Sequence, residues 1–95
     1  MNVEYSKRAL ADLRRIAEYH LQSDIPSVAD HIAKGIQEVV ERLPRSPKQG
    51  RSVSERPGVR VALLLQYRYK IFYRATEKTI RIVHIRHTSR QPWED

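Results

Sequence analysis

The sequence predicts an α+β fold in the order β-α-α-β-β-β, an antiparallel sheet with a two-helix hairpin packed on one face. Three observations predict it. Apolar residues recur every three or four positions through residues 7–43. They alternate or cluster in three short runs after residue 58. A stretch rich in Pro, Gly, Ser and charge, residues 44–58, separates the two regimes. The 95 residues make one domain, 1–95.

Residues 2–5 alternate in polarity and form a short first strand. Ser6 suits a helix N-cap, because its hydroxyl can accept from an unpaired first-turn amide. From Lys7, the stripe Ala9, Leu10, Leu13, Ile16, Ala17 and His20 specifies a helix ending near Ser23. Pro26 can open a second helix, since the first turn does not need its missing N–H. Ser27 with Asp30 offers an alternative start. Its stripe is Val28, Ile32, Ile36, Val39, Val40 and Leu43, and Pro44 and Pro47 stop it. Gly35 near that stripe fits either a close approach of the two helices or simple tolerance.

The loop 44–58 has room for a short extended piece near Ser52–Glu55. Three strands follow: Val59–Leu65, Tyr69–Ala75 and Thr79–His87, with breaks short enough for hairpins. In the middle strand, alternation turns Tyr69, Ile71, Tyr73 and Ala75 toward the core and Lys70, Phe72 and Arg74 away from it. In the preceding strand, Arg60, Ala62 and Leu64 oppose Val59, Val61, Leu63 and Leu65. Arg60 and Lys70 are then expected to share the open face, with Phe72 and Leu64 between them. The last strand is apolar on both faces, so its phase stays open.

The composition excludes several classes of chemistry. With no cysteine, there is no disulfide framework, thiolate metal site or thiol nucleophile. His84 and His87 are three apart on a strand and point to opposite faces, so no metal or other cofactor is implied. The three glycines are scattered, which excludes a phosphate-binding glycine loop. The N-terminus lacks a signal-peptide core, and the longest apolar run, Val61–Leu65, is too short to span a bilayer. A cytoplasmic protein without membrane contact is expected.

The net charge is +7 and unevenly placed. Residues 49–95 hold ten Lys/Arg against four Asp/Glu, whereas residues 1–48 are nearly balanced. Such a field attracts an anionic partner. Cations around an aromatic ring suit nucleic-acid bases and phosphates, or a protein segment whose acids pair at the rim. Simple shielding of a polar sheet face uses the same residue types. The most functional-looking stretch is Arg86–Trp93, with Arg86, His87, Arg90 and Trp93. Lys70, Arg86 and Arg90 could stabilise a crowded phosphate, with His87 as acid or base, in metal-free RNA cleavage. A basic tail with one aromatic is also a plain docking element, and docking is the favoured reading.

At these residues the chain resembles the RelE/ParE toxin superfamily of type II toxin–antitoxin systems. The element order is similar, and Tyr69-Lys70-Ile71-Phe72-Tyr73-Arg74 looks like that family's "YRIFY" strand. Residues Ile82–Arg90 look like its final strand and basic turn, and Ser6–Ala17 like its first helix. The resemblance implies a toxin neutralised by an antitoxin whose acidic, flexible segment folds along it, in a hetero-oligomer. It also implies roles in growth inhibition and plasmid stabilisation.

RelE-like members cut mRNA on the ribosome, whereas ParE-like members inhibit DNA gyrase. Of the nuclease set, Lys70 fills the basic position of the "YRxxY" strand, Arg90 the arginine of the final turn, and Arg60 an early lysine. The second lysine of that strand falls on Ala62. The catalytic tyrosine falls just past Asp95, and Trp93 nearby has no titratable hydroxyl. His87 keeps the nuclease alternative, because some relatives use a histidine. The incomplete set favours the ParE-like branch: a gyrase inhibitor that binds through Arg60, Lys70, Phe72, Arg74, Arg86, His87, Arg90 and Trp93. A degenerate interaction module is the third reading.

Overall fold

The computed structural model describes residues 1–22 and 27–88. Strand β1 (Asn2–Tyr5) leads into helix α1 (Lys7–Leu21), and helix α2 (Ser27–Arg42) follows. Strands β2 (Arg51–Ser52), β3 (Arg60–Leu64), β4 (Tyr69–Ala75) and β5 (Thr79–His87) come next. The proposed helix start at Pro26 and helix end at Ser23 lie outside the described residues. The class and element order are those expected, with two refinements. A two-residue β2 forms one sheet edge and overlaps, at Ser52, the extended piece expected in the loop. The sheet is mixed, in the order β1-β5-β4-β3-β2, because β1 runs parallel to β5 while the other neighbours are antiparallel.

Helix α2 seats the core. Ile32, Ile36, Val39 and Val40, with Leu43 just beyond, pack on Ala62, Leu64, Ile71, Tyr73, Ile80, Ile82 and Ile85. Each fully buried isoleucine contributes about 1.5–3 kcal/mol. Gly35 marks a close approach, but to the sheet and not to α1. A Cβ there would stand 3.0 Å from both δ-carbons of Leu64. Helix α1 buries a narrower stripe than its apolar pattern suggests. Ala9 is buried and Leu13 and Ile16 pack against the core, but Leu10 is 50% exposed and Ala17 is also exposed. The reason is position: α1 lies beside the β5 edge, so its inward stripe is Ala9, Asp12, Leu13 and Ile16.

Strand phasing corrects the expected open face. Pairing of Ala62 with Ile71 and Leu64 with Tyr69 puts Arg60, Ala62 and Leu64 on the helix side. Val61 and Leu63 therefore flank Phe72 and Lys70 on the other side. In β5 the phase changes within the strand. Phe72 pairs with His84 but Tyr73 pairs with Ile82, so Val83 is an extra, bulged residue. The bulge lets Ile85 join Ile80 and Ile82 in the core and turns His84 and Arg86 to the open face.

The loop before β2 is pinned to the sheet by Tyr73. Its hydroxyl donates to the Pro47 carbonyl at 2.8 Å and accepts the Gly50 N–H at 3.0 Å. Arg60 adds a bond to the Gly50 carbonyl at 2.8 Å. A Cβ on Gly50 would meet the Tyr73 hydroxyl and the Val61 carbonyl at 2.7 Å, so glycine is required there. Tyr73→Phe leaves the Gly50 amide and the Pro47 carbonyl without this partner. It should cost about 1–3 kcal/mol in urea unfolding. Gly50→Ala should cost at least as much, and near-equal stability of both variants to wild type would exclude the pin.

Candidate functional site

The site begins where β1 stops. Its last pair is Tyr5 with Ile82, and among the described residues no strand covers the rest of that β5 edge. Ser6 turns the chain. Its N–H donates to the Ile82 carbonyl at 2.9 Å and its hydroxyl donates to the Val83 carbonyl at 3.0 Å. The same hydroxyl accepts the Ala9 N–H at 3.0 Å, the N-cap read from the sequence. Helix α1 then runs beside the open part of β5.

Asp12 replaces the missing strand. Only 3% exposed, its Oδ2 accepts the Ile85 N–H at 2.9 Å and the His84 Nδ1–H at 2.6 Å. Its Oδ1 accepts from Arg15 at 2.5 Å. A carboxylate can only accept, so the bond places a proton on His84 Nδ1. Burial alone would raise the Asp12 pKa. The bonds from His84 and the Ile85 amide, the His84 charge and the Arg15 bond outweigh it, and the pKa is lowered. On its other side, the His84 ring stacks on Phe72, with centroids 5.9 Å apart and planes at 19°.

Between α1 and β5 lies a cleft of about 540 Å³. Arg8, Arg15, Tyr19 and His20 line it from α1, and Tyr69, Arg86 and His87 from the sheet. The Tyr69 hydroxyl lies 3.0 Å from His20 Nε2, and its ring stands edge-on to His87 at 5.2 Å.

The open sheet face is a second, adjoining surface. Leu63, Lys70 and Arg86 form one row across three strands, and Arg74 and Arg81 pair in another. Leu63 is 45% exposed and Leu65, in the turn after β3, is 77% exposed. Lys70 and Arg86 face each other as like charges, an arrangement relieved by an anionic partner. Arg74 reaches back to the Pro57 carbonyl at 3.0 Å, and Arg81 lies 3.5 Å from Glu4.

Of the residues expected to bind a target, Lys70, Arg86 and Arg74 do share this face. Phe72 is on it but only 6% exposed, packed on His84, so it is not an open stacking platform. Arg60 is on the opposite side, tied to the Gly50 carbonyl. His87 pairs with Tyr69 and faces the cleft, away from Lys70. Arg90 and Trp93 lie outside the described residues. Sequence reasoning missed Asp12 and the cleft. One signal was present: an acid at i+3 from Ala9 and four before Ile16, on an apolar stripe. Its partner was hidden by the Val83 bulge.

Over residues 3–92 the chain matches the family described as the ParE toxin of type II toxin-antitoxin system, parDE. The chain belongs to the ParE toxin family. Its structure is similar to one described as the chromosomal ParDE TA system from P. aeruginosa. TM-score is 0.78 and identity 30%, covering 92% of this chain and 95% of that one. It also resembles the isolated E. coli RelE toxin, with TM-score 0.61, 15% identity and coverage of 95% and 86%. The toxin–antitoxin complex E. coli RelBE gives TM-score 0.56, 18% identity and coverage of 94% and 98%. At those identities the two E. coli structures speak to the fold alone. No curated protein sequence matches significantly.

The Asp12 junction should dominate the stability of this ParE-family chain. Asp12→Ala removes one partner of a buried pair and should cost about 3–5 kcal/mol in chemical denaturation. The pH dependence follows from the lowered pKa. The Asp12 contribution is present above its unfolded value, about 4, and is lost as pH falls through the lower folded value. The stability gap between wild type and Asp12→Asn should therefore narrow in acid. A gap constant down to the lowest accessible pH would refute this linkage.

Proposed function

We propose that this chain is a toxin that inhibits DNA gyrase by binding and is neutralised by a cognate antitoxin with an acidic, flexible segment. The observation that carries this reading is the ParE-family match over residues 3–92. The 30% identity to the P. aeruginosa ParDE system supports the paired antitoxin. Among the described residues no helix is long and apolar enough to cross a membrane, which fits work in the cytoplasm.

The geometry also favours binding over RNA cleavage. A metal-free nuclease needs its cations and its proton-transfer group around one phosphodiester. Here Arg60 lies on the side opposite Lys70, and His87 lines the α1/β5 cleft beside Arg86 but faces away from Lys70. The open face instead offers what a folding acidic segment needs: exposed Leu63, with exposed Leu65 in the turn after β3, for apolar burial and Lys70 and Arg86 for its acids. Such a complex should weaken with salt without vanishing, since apolar burial is not screened.

Gyrase supercoiling with purified toxin tests the target. Loss of supercoiling at micromolar toxin is expected, together with intact mRNA in a translating extract. Codon-phased cutting of ribosome-bound mRNA without gyrase inhibition would reverse the assignment. For the antitoxin, Lys70→Glu and Arg86→Glu should each weaken the complex about tenfold or more, equivalent to ~1.4 kcal/mol. Unchanged affinity in both variants, or no salt dependence, would remove the open face as the antitoxin surface.

A further inference from the structure

The loop that Tyr73 pins carries a row of cations. Residues 42–54 contain Arg42, Arg45, Lys48 and Arg51 and no Asp or Glu. The cations recur every third residue, and the turns beneath them keep the same period. The chain leaves α2 through bonds from the N–H of Leu43 to Val40, Arg45 to Arg42, Ser46 to Leu43 and Gln49 to Ser46. At three residues per turn, side chains three apart come to one side. Leu43 and Gly50 are buried and Pro44 and Pro47 half-buried, whereas all four cations are exposed. Arg51 pairs with Val61, which carries the row round the β2 edge to the open side of the sheet. The backbone below is held in place. The Tyr73 hydroxyl grips Pro47 and Gly50, and Arg60 reaches the carbonyls of Lys48 at 3.4 Å and Gly50 at 2.8 Å. Among the described residues, none of the four cations has an ion pair or a side-chain hydrogen bond. Arg42 complements the carbonyl end of α2, but the other three lie beyond that helix. The neighbouring acid, Glu41, takes a bond from Gln37 at 2.9 Å.

We propose that this row is a docking band for double-stranded DNA, held by its phosphates without reading of bases. A protein partner would bring apolar groups to bury. None of the large exposed apolar side chains among the described residues lies in 42–54; the exposed companions of the cations are Ser46, Gln49 and Ser52. Arg, Lys, Ser and Gln are the residue types that position a protein on phosphate oxygens. A single strand would be held by aromatic rings on which bases stack, and residues 42–54 contain no Phe, Tyr or Trp. A duplex asks only for cations and presents a charge about every 1.7 Å along its axis. The band lies at the β2 edge, with β3 and β4 between it and the β5 surfaces. DNA could therefore be held there while Lys70 and Arg86 face a protein.

The test is fluorescence anisotropy of a labelled 20-base-pair duplex titrated with the full chain over a range of salt. The logarithm of affinity should fall against the logarithm of salt with a slope of about −3 to −4, roughly 0.9 for each phosphate contact. Arg45→Gln combined with Lys48→Gln should flatten that slope by about 2 and weaken binding at least tenfold at low salt. Lys34→Gln combined with Lys78→Gln removes the same charge from exposed positions on α2 and the β4–β5 turn, and should change the slope little. Thermal melting verifies that each variant is folded. Glu94→Gln with Asp95→Asn removes the acids at the end of the chain. The loss caused by the Arg45 and Lys48 changes should be the same with or without them. Equal losses in the two lysine and arginine pairs would reduce the effect to net charge and overturn the proposal. So would a loss seen only after the terminal acids are removed, which would show the band to be neutralised by its own chain. Single-stranded DNA bound as tightly as duplex, or poly-glutamate competing as well as unlabelled duplex, would also overturn it.

Discussion

A buried carboxylate on the first helix closes an edge that no strand of the described residues covers, and the placement of the other elements follows from that contact. A sheet edge left bare presents unpaired amides, and burying one without a partner costs about 1–3 kcal/mol. Asp12 meets the Ile85 amide directly and holds His84 with the same oxygen. That fixes the roll of α1, because turning the helix would carry Asp12 off the edge. The roll in turn brings Ala9 into the core and leaves Leu10 outside. It also sets Arg8 and Tyr19 along the cleft.

Two surfaces with different chemistry thus meet at one strand. On the open face, cations stand among exposed leucines and suit a partner that brings both acids and apolar groups. Along the edge, guanidiniums, imidazoles and phenols border a half-open cleft. The Val83 bulge separates them. By adding one residue, it lets Ile85 stay in the core while His84 and Arg86 turn outward. Without it, strict alternation would bring His84 and Arg86 to the helix side and expose Ile85.

The elements were largely legible in the sequence, because each carries a simple period. The Ile32–Ile36–Val40 stripe and the Tyr69–Ile71–Tyr73 alternation each point to one structure, and both are found. The sequence could not place what depends on register between strands. Arg60 was assigned to the open face from alternation alone, and only its pairing with Tyr73 shows that it lies beneath the sheet. The parallel pairing of β1 with β5 joins residues nearly eighty positions apart, which no local pattern encodes. The Asp12–His84 contact was hidden for both reasons, since it joins distant segments and sits at the bulge. Phe72 was rightly turned away from the helices but not seen to be covered, because its cover is a histidine of the next strand.

The parallel pairing of β1 with β5 has a consequence for how the molecule comes into being. The first strand to be synthesised has its partner at residues 79–82. Helix α1 likewise waits for Ile82 to Ile85 before Ser6 and Asp12 find their bonds. The helical hairpin and the β3–β4 pair can form early from nearby contacts, but the molecule cannot lock until its last strand arrives. A nascent chain therefore lacks the β5 surfaces until Thr79–His87 has been made. Both surfaces that β5 borders are thus acquired together, in one step.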